Sequence, residues 1–378
     1  MKVLQVTNTV SHHQLPLAIH LARIVGSRNF RIAVTGPPNP ARIAMGWDGD
    51  AEEEWLLKPG ERRADVDEYL KWWESCDFVL CGERVYELLK PRLAAGKLAF
   101  YMSERWWKPQ IGVGRLLYPP FLRMALAFRA LATSSHFHYL PMGAYAANDM
   151  RVVAPFPNRM WRWGYFPPEA ARQRAVMRNA KSYHIMWAGR MLDWKRVDTL
   201  LRGFRALVST AVEARLTLVG NGPTEPRLKK LATDLGLLGH VIFLPSQPAR
   251  EVRRLMRTAD VFVLASNGCE GWGAVINEAM SEGCVVVASS AAGAAKTLIR
   301  DGENGVLFRP GDWRQLGSIL CTLRTNGPMR DSIAVKARRT IAEEWSPGVA
   351  AARLLAVTEA LLSGTQPPRF DCGPMCGA

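Results

Sequence analysis

No stretch of this 378-residue chain approaches the roughly 18 uninterrupted apolar residues that a membrane-spanning helix needs. The first residues also do not predict a secretory signal peptide, because the apolar run after Met1 is broken by the polar residues 11–14, far too early for such a signal. From these two absences we expect a cytoplasmic protein without a spanning segment.

Cysteine is sparse and irregularly placed. The chain has seven cysteines, an odd number, and no pair of Cys-x-x-Cys units, so neither a disulfide framework nor a zinc site is indicated. No Asp-x-Asp pair falls at the end of a predicted strand, and the pair at 48–50 lies in a polar loop. The sequence therefore predicts no bound metal and no other cofactor.

Negative charge is in deficit. The formal net charge is +15, which predicts anionic partners, while 48% hydrophobic and 22% charged residues are ordinary for a globular protein. Residues 101–165 concentrate the excess, with eight basic residues against two acidic ones, interleaved with aromatic and aliphatic side chains. This mixture suits the surface of an anionic membrane better than a nucleic acid.

The segment 115–131 is the candidate for membrane contact. Three arginines accompany apolar side chains there, and we expect shallow insertion beside an electrostatic attraction to lipid. A buried amphipathic helix is the alternative explanation of the same pattern. The residues concerned are Arg115, Arg123 and Arg129 with Leu116, Leu117 and Phe121.

Apolar strand-like runs alternate with helical segments along the whole chain, which predicts parallel sheets covered on both faces. The length exceeds what one core usually spans, so we expect two doubly wound α/β domains. The expected limits are 1–165 and 166–346 for the two domains, 347–363 for a last helix that can cross back to the first, and 364–378 for a disordered tail.

Three elements of the C-terminal half each follow a different predicted strand. Taken singly they are weak signals, since two glutamates, a pair of basic residues or a glycine turn also occur on solvated surfaces. Together they converge, because ligands of an open α/β sheet bind beyond the carboxyl ends of its strands. The elements are Arg190 with Lys195, the turn Gly220-Asn221-Gly222, and Glu270 with Glu278.

These residue types suit a diphosphate that carries a sugar. Arg190 and Lys195 can clamp the diphosphate and neutralise charge as it leaves. A helix expected to begin near Gly273 presents free N–H groups to an anion, and two carboxylates can accept hydrogen bonds from different hydroxyls.

The order of these motifs, continued by Asp301-Gly302-Glu303-Asn304-Gly305, resembles the retaining glycosyltransferases of family 4, which have the GT-B fold. The resemblance is specific over about 185–312. It implies two Rossmann-like domains facing across a cleft, a nucleotide-diphosphate sugar as donor, transfer with retention, and no metal. Members often carry a glutamate where this chain has Lys296, which is either an extra anion contact or a surface lysine.

The same resemblance assigns roles to single residues. Arg190 and Lys195 would bind the diphosphate, Glu278 the ribose hydroxyls, and Glu270 the donor sugar, with Gly220 and Asn221 alongside. Backbone N–H groups would come from Gly273, Ala274 and Val275.

The N-terminal half resembles bacterial surface-polysaccharide glycosyltransferases more loosely, and it would hold a glycan or lipid-linked acceptor. His12 and His13 precede the first helix, and Glu104 and Arg105 follow a strand. One of the two histidines can orient an acceptor hydroxyl or contact a phosphate, with His13 the candidate for catalysis, and Glu104 can accept the proton of the acceptor. The alternatives are polar residues at a helix entry and an ion pair between Glu104 and Arg105.

Other functions remain open at this stage. A GT-B nucleotide-sugar epimerase or phosphorylase shares the fold, and fold alone does not decide chemistry. A catalytically inactive scaffold is a further alternative. A nucleic-acid-binding protein would suit the net charge, but no binding motif supports it and the acidic residues of 52–68 oppose it. We expect the enzyme, peripheral on the inner face of the cytoplasmic membrane, with no nucleic-acid partner.

We predict that sugar transfer needs no divalent metal, because Arg190 and Lys195 already supply positive charge to the diphosphate. Release of nucleotide from the donor, measured with and without excess EDTA, should proceed at the same rate. Loss of activity in EDTA with recovery on adding Mn²⁺ would contradict this prediction.

Overall fold

The computed structural model describes residues 1–9, 11–37, 53–82, 85–107, 111–170 and 183–378. The chain divides into two compact units. Unit 1 comprises Met1–Pro168 with Glu344–Ala378, and unit 2 comprises Glu169–Glu343. The linker predicted at 167–180 lies mostly outside the described residues.

Unit 1 contains a six-stranded, wholly parallel sheet in the order β3-β2-β1-β4-β5-β6. The strands are β1 (Val3–Thr7), β2 (Phe30–Val34), β3 (Leu56–Leu57), β4 (Phe78–Cys81), β5 (Leu98–Ser103) and β6 (Phe137–Pro141). Its helices are α1 (Leu15–Val25), α2 (Ala64–Ser75), α3 (Tyr86–Ala94), α4 (Pro119–Leu131) and α5 (Ala146–Val153).

Unit 2 repeats this plan, with six parallel strands in the order β12-β11-β10-β7-β8-β9. The strands are β7 (Tyr183–Ala188), β8 (Ala214–Val219), β9 (Val241–Leu244), β10 (Val261–Leu264), β11 (Val285–Ser289) and β12 (Val306–Phe308). Its helices are α6 (Val197–Val208), α7 (Glu225–Asp234), α8 (Ala249–Thr258), α9 (Val275–Ser281), α10 (Gly293–Leu298), α11 (Trp313–Thr325) and α12 (Gly327–Glu343).

The prediction of an α/β protein with two doubly wound units is confirmed. The central strands β1, β4, β10 and β11 are buried along their whole length, as expected for parallel strands covered by helices on both faces. In both units the order of the strands reverses direction once, and the loops at their carboxyl ends are where such folds bind ligands.

Two strands of unit 1 were not predicted from the sequence. β3 is only two residues long, and β6 carries the polar His138 as its second residue. Burial lowers the pKa of His138 to about 3, so its ring is neutral, and its Nδ1 accepts a hydrogen bond of 3.2 Å from Trp161 Nε1. Since Nδ1 accepts, the proton of the neutral ring lies on Nε2, which has no hydrogen-bond partner among the described residues.

The last helix, α13 (Pro347–Leu362), lies in unit 1 and packs against α1. The expectation of disorder after residue 364 is wrong. The tail runs antiparallel to the segment around Trp161: Arg162 N donates to Cys376 O at 2.8 Å, and Met375 N donates to Arg162 O at 2.9 Å. Met375 is completely buried, so the tail buries apolar surface that composition alone did not reveal.

Within the described part of the chain, every helix falls short of the length and apolar character that crossing a bilayer requires.

Because the tail packs on unit 1, Met375→Ala should lower the free energy of unfolding by about 2–5 kcal/mol, the usual cost of truncating a buried methionine. Arg369→Ala, an exposed position in the same tail, is the matched control and should leave stability unchanged. Thermal and denaturant unfolding of the full chain measure both. Equal stability of the two variants would mean that the tail contributes nothing.

Candidate active site

The loops after β7 and β8 of unit 2 touch backbone to backbone. Gly220 has a φ of 131°, and a Cβ at that position would overlap the carbonyl oxygen of Gly189. A Cβ at Gly222 would overlap Met191 O, and Met191 N donates to Asn221 O at 2.9 Å. Glycine is therefore required in this turn, and the turn fixes the loop that carries Arg190 and Lys195.

Two further loops join this contact. Asn221 Oδ1 accepts a hydrogen bond of 2.7 Å from Ser246 N, after β9, and Asn267 N, after β10, donates to Trp194 O at 2.8 Å. The loops that follow β10, β7, β8 and β9, which are consecutive in the sheet, are thus hydrogen-bonded to one another. All the donor-site candidates predicted in these loops lie at one edge of one sheet.

The structure brings Lys195 and Glu270 into direct contact. Lys195 Nζ lies 2.5 Å from Glu270 Oε2, which also accepts a hydrogen bond of 2.9 Å from Ser266 Oγ. The two charged side chains retain exposures of 16% and 13%, so the pair is largely desolvated but still reachable. Ser266 was not among the predicted site residues; its place directly after β10 was the signal.

Glu278 lies on α9, which begins at Val275, with Ala274 at the N-cap position. The helix thus starts slightly later than the expected position near Gly273, and Glu278 falls in its first turn. Gly273 has a φ of 95°, where a side chain is strained, and a Cβ there would lie 3.0 Å from Leu264 Cδ2. Glu278 is only 4% exposed, and a carboxylate is rarely buried to this degree unless polar groups surround it.

Three further residues or pairs were singled out from the sequence, namely Arg190, Lys296 and the Asp-x-Asp pair at 48–50. Arg190 is exposed in the loop after β7, whereas Lys195, further along the same loop, is the residue that pairs with Glu270. Lys296 is exposed on α10, as a surface lysine would be. The Asp-x-Asp pair at 48–50 lies outside the described residues.

Unit 1 contains a cavity of about 200 Å³ at the carboxyl ends of its strands. The first turn of α1 and the segment 163–166 complete its wall. The lining residues are Gln5, Val6, Thr7, Asn8, His13, Gln14, Leu17, Gly82, Met102, Ser103, Glu104, Met142, Trp163, Gly164, Tyr165 and Phe166.

Two predicted acceptor residues meet in this cavity through a residue that the sequence analysis did not single out. The Tyr165 hydroxyl donates to Glu104 Oε1 at 3.2 Å, and the His13 ring lies 5.6 Å from the Tyr165 ring. His12 stands beside His13, with ring centroids 3.8 Å apart. A carboxylate, a phenol and an imidazole therefore line one small space.

Arg105, the other predicted acceptor residue, contacts Asp149. Its guanidinium pairs with the buried Asp149 at 3.3 Å and lies over the Tyr145 ring. Asp149 Oδ2 also accepts a hydrogen bond of 3.1 Å from Trp106 N. Arg105 thus has Asp149 as a partner, while Glu104 has Tyr165.

A buried hydroxyl supports the floor of the cavity. Ser103 Oγ lies 2.8 Å from the Tyr139 hydroxyl and accepts a hydrogen bond of 3.1 Å from Trp106 Nε1. Burial raises the pKa of Tyr139 well above its usual range, so this phenol stays neutral. The floor is thus polar but uncharged.

The sequence left two explanations for the apolar residues around α4, burial in the core and exposure for membrane contact, and segment 111–131 contains residues of both kinds. One face of α4 is buried through Phe121, Ala125 and Phe128. Other large apolar side chains of this helix and of the segment just before it are in solvent, and Leu117 in that segment is 88% exposed. We call this the exposed apolar face; it consists of Ile111, Val113, Leu117, Tyr118, Leu122 and Leu126.

The expected insertion set of Leu116, Leu117 and Phe121 is therefore partly wrong. Phe121 is buried against Trp106, and Leu116 is half-buried against the core. Leu117 alone of the three is free to meet a membrane.

Solved structures share this fold along nearly the whole chain. The structure of Anabaena HepE in complex with UDP has a TM-score of 0.70 and 17% identity, and the alignment covers 96% of this chain and 100% of HepE. WaaG, a glycosyltransferase involved in lipopolysaccharide biosynthesis, has a TM-score of 0.63 and 19% identity over 92% of this chain and 98% of its own. The fold is GT-B, as the sequence predicted.

A match to a known protein family lies in unit 2. Residues 170–340 match the family model of glycosyl transferases group 1, which confirms the predicted resemblance over this part of the chain.

Curated glycosyltransferases are similar to this chain over alignments of about the same length as the family match. The D-inositol 3-phosphate glycosyltransferase of Thermomonospora curvata is 34% identical over 180 residues, which is 45% of this chain and 41% of the relative. The lipopolysaccharide core biosynthesis glycosyltransferase LpsE of Rhizobium meliloti is 31% identical over 162 residues, 43% of this chain and 45% of LpsE. The chain thus spans less than half the length of these curated relatives.

Proposed function

We propose that the protein transfers a sugar from a nucleotide-diphosphate sugar to a glycan or lipid-linked acceptor, with retention of anomeric configuration. One observation carries the proposal: within the part of the chain that matches the group 1 glycosyltransferase model, four adjacent strand-end loops are hydrogen-bonded together and hold Lys195 against Glu270. That edge of the sheet is where an open α/β fold binds its ligand.

In this proposal the pair of Lys195 and Glu270 is the resting state of the donor site. A diphosphate carries more negative charge than one carboxylate, so it draws Lys195 toward itself, and the exposed Arg190 lies in the same loop. Glu270 then accepts hydrogen bonds from hydroxyls of the donor sugar. As the bond to the sugar breaks, the two cations stabilise the charge that develops on the leaving diphosphate.

The other donor residues complete the contacts. In this proposal Glu278 accepts hydrogen bonds from ribose hydroxyls, and the N–H groups of Gly273, Ala274 and Val275 donate to the phosphates. Gly220 and Asn221 form the neighbouring wall. No metal or other cofactor is required in this scheme, because the positive charge comes from side chains and backbone.

The relatives support a proposal for the nucleotide and for the biological setting. HepE was solved with UDP, and a Mycolicibacterium smegmatis relative, 29% identical over 191 residues, is named GDP-mannose-dependent. LpsE and WaaG are named for lipopolysaccharide synthesis. We therefore propose a UDP- or GDP-sugar as donor and a role in the synthesis of a surface polysaccharide or glycolipid.

Arg190→Ala and Lys195→Ala should each weaken binding of the donor nucleotide by about 1.5–3 kcal/mol, or roughly ten- to hundredfold in Kd, because each removes a charge-assisted contact. Arg202→Ala on α6 is the matched control, since Arg202 is an exposed arginine away from these loops. Calorimetric titration with UDP and GDP measures the effect. Wild-type affinity in both site variants would refute the donor site.

Product analysis separates transfer from the other GT-B chemistries. Incubation of the wild-type enzyme with the bound donor and an acceptor should yield a glycoside whose anomeric configuration, read by proton NMR, equals that of the donor. An epimerised nucleotide sugar formed without acceptor would favour the epimerase instead.

We also propose that unit 1 attaches peripherally to the inner face of the cytoplasmic membrane. The exposed apolar face carries six large apolar side chains, and Arg123 and Arg129 project into solvent from the same helix. Arg115 is less available, because it donates to Trp106 O at 2.7 Å and stacks on Phe121. Apolar contact and positive charge together are what reversible binding to anionic lipid needs.

Arg123→Glu combined with Arg129→Glu should weaken binding to vesicles containing anionic phosphatidylglycerol by roughly thirtyfold or more, since each basic residue contributes about 1 kcal/mol. Arg23→Glu with Arg28→Glu makes the same change of charge on other exposed positions of unit 1 and is the control. Co-sedimentation at low and high salt measures binding. Equal pelleting with neutral phosphatidylcholine vesicles, or none with either, would contradict the electrostatic attachment.

A further inference from the structure

We propose that Arg196 and Asp198 are positioning residues of the donor site, because together they hold a left-handed turn of the backbone that places Lys195 against Glu270. This inference rests on the proposed function, since it adds two residues to the way in which Lys195 reaches the diphosphate. It concerns unit 2 alone. The sequence analysis gave neither residue a role.

The backbone of Arg196 is the first observation. Its φ of 50° and ψ of 43° lie in the left-handed region, which residues with a side chain rarely adopt because Cβ approaches a carbonyl oxygen. The residue before a helix is ordinarily extended instead. Strain of this kind persists only where the surroundings enforce it, and it is found most often at functional sites. Arg196 directly follows Lys195.

The side chain of Arg196 supplies the enforcement. Its Nε donates to Asp198 Oδ1 at 3.0 Å and its Nη2 donates to Asp198 Oδ2 at 2.9 Å, which is a forked pair with two parallel hydrogen bonds. Burial raises the pKa of Asp198, but the bonds from Arg196 outweigh it and hold that pKa below its usual value. The carboxylate is therefore charged at neutral pH. Since the partners are two positions apart, the fork restrains the backbone between them.

Arg196 is joined on one side to a firmly packed helix. α6 begins at Val197, and both Val197 and Leu200 are buried in the core of unit 2. The carbonyl oxygen of Arg196 accepts hydrogen bonds from Thr199 N at 3.0 Å and from Leu200 N at 3.4 Å. A change in the backbone angles of Arg196 therefore displaces the residues before it rather than the helix after it.

The residues before Arg196 carry the functional lysine. Asp193–Lys195 form a single 3-10 turn, closed by a hydrogen bond of 3.2 Å from Arg196 N to Asp193 O. In this conformation Trp194 O accepts from Asn267 N, and Lys195 Nζ lies against Glu270. Relaxation of Arg196 to ordinary backbone angles would rotate the 3-10 turn relative to α6 and separate that charged pair.

Arg190 is held independently of Arg196. It lies at the other end of the same loop, beside Met191, whose N donates to Asn221 O and whose O lies against Gly222. The glycine turn therefore fixes Arg190, and the left-handed residue acts through Lys195.

Four single variants of the full chain test the role of the forked pair. Arg196→Ala and Asp198→Ala should each weaken binding of UDP or GDP by about five- to thirtyfold, the factor by which left-handed backbone is disfavoured for a residue with a side chain. Arg254→Ala and Glu251→Ala break a similar forked pair on the surface of α8 and are the matched controls, with affinity unchanged. Calorimetric titration measures all four.

Arg196→Gly separates the backbone from the charge. It removes the fork as Arg196→Ala does, yet it should bind the nucleotide within about twofold of wild type, because glycine adopts left-handed angles without strain. Equal losses in Arg196→Gly and Arg196→Ala would overturn the proposal, as would wild-type affinity in Arg196→Ala.

Double variants distinguish positioning of Lys195 from general support of the fold. When Lys195→Ala is already present, Arg196→Ala should cost less than about twofold in affinity, since the side chain that it positions is gone. When Arg190→Ala is present instead, Arg196→Ala should keep its full effect. The same loss from Arg196→Ala with and without Lys195 would contradict the proposal.

Crystal structures of the ligand-free variants give a readout that needs no nucleotide. The contact between Lys195 Nζ and Glu270 should be retained in Arg196→Gly and broken in Arg196→Ala. A contact that persists in Arg196→Ala would overturn the inference.

The proposed function and this inference fail in different ways. If Lys195→Ala binds nucleotide as tightly as wild type, or if neither UDP nor GDP binds, the donor assignment fails, and the crystal structures still decide whether Arg196 places Lys195. If Lys195→Ala weakens binding and Arg196→Ala does not, only the inference about Arg196 and Asp198 fails.

Discussion

The candidate donor site depends on a contact in which two backbones approach too closely for any side chain. Gly220 and Gly222 lie against the carbonyl oxygens of Gly189 and Met191, and the resulting hydrogen bonds hold the loop after β7 in place. From that position the loop reaches Trp194 and Lys195, which contact Asn267 and Glu270 after β10. A larger residue at Gly220 would displace the loop, and the charged pair would be displaced with it.

Each unit keeps polar groups where a more stable protein would have apolar ones. In unit 2, Lys195 and Glu270 are largely desolvated, and such a pair is costly unless each charge has good partners. In unit 1, the Gln5 amide is buried without a partner among the described residues, and the cavity beside it interrupts the core. The charged pair stands at the carboxyl ends of parallel strands, whereas Gln5 lies in the middle of β1 and is out of reach of solvent.

Much of the fold was predictable because parallel strands have a strong local signal. Runs such as 261–264 and 285–289 are continuously apolar, and helices at 197–208 and 347–362 have clear apolar spacing. β6 was missed because its second residue is the polar His138, and the partner of that buried ring, Trp161, lies 23 positions away in the sequence. The tail was taken for disorder because Gly and Pro obscure the burial of Met375.

By itself, the sequence determined the α/β class, the two doubly wound units and the strand ends at which charged residues gather, because these depend on local periodicity and on the order of motifs. Tertiary structure alone decided which charges meet. It paired Lys195 with Glu270 and Arg105 with Asp149, joined His13 to Glu104 through Tyr165, and turned Phe121 inward while leaving Leu117 in solvent. The pair of Lys195 and Glu270 joins residues 75 positions apart, and packing distances of this kind have no counterpart in local sequence.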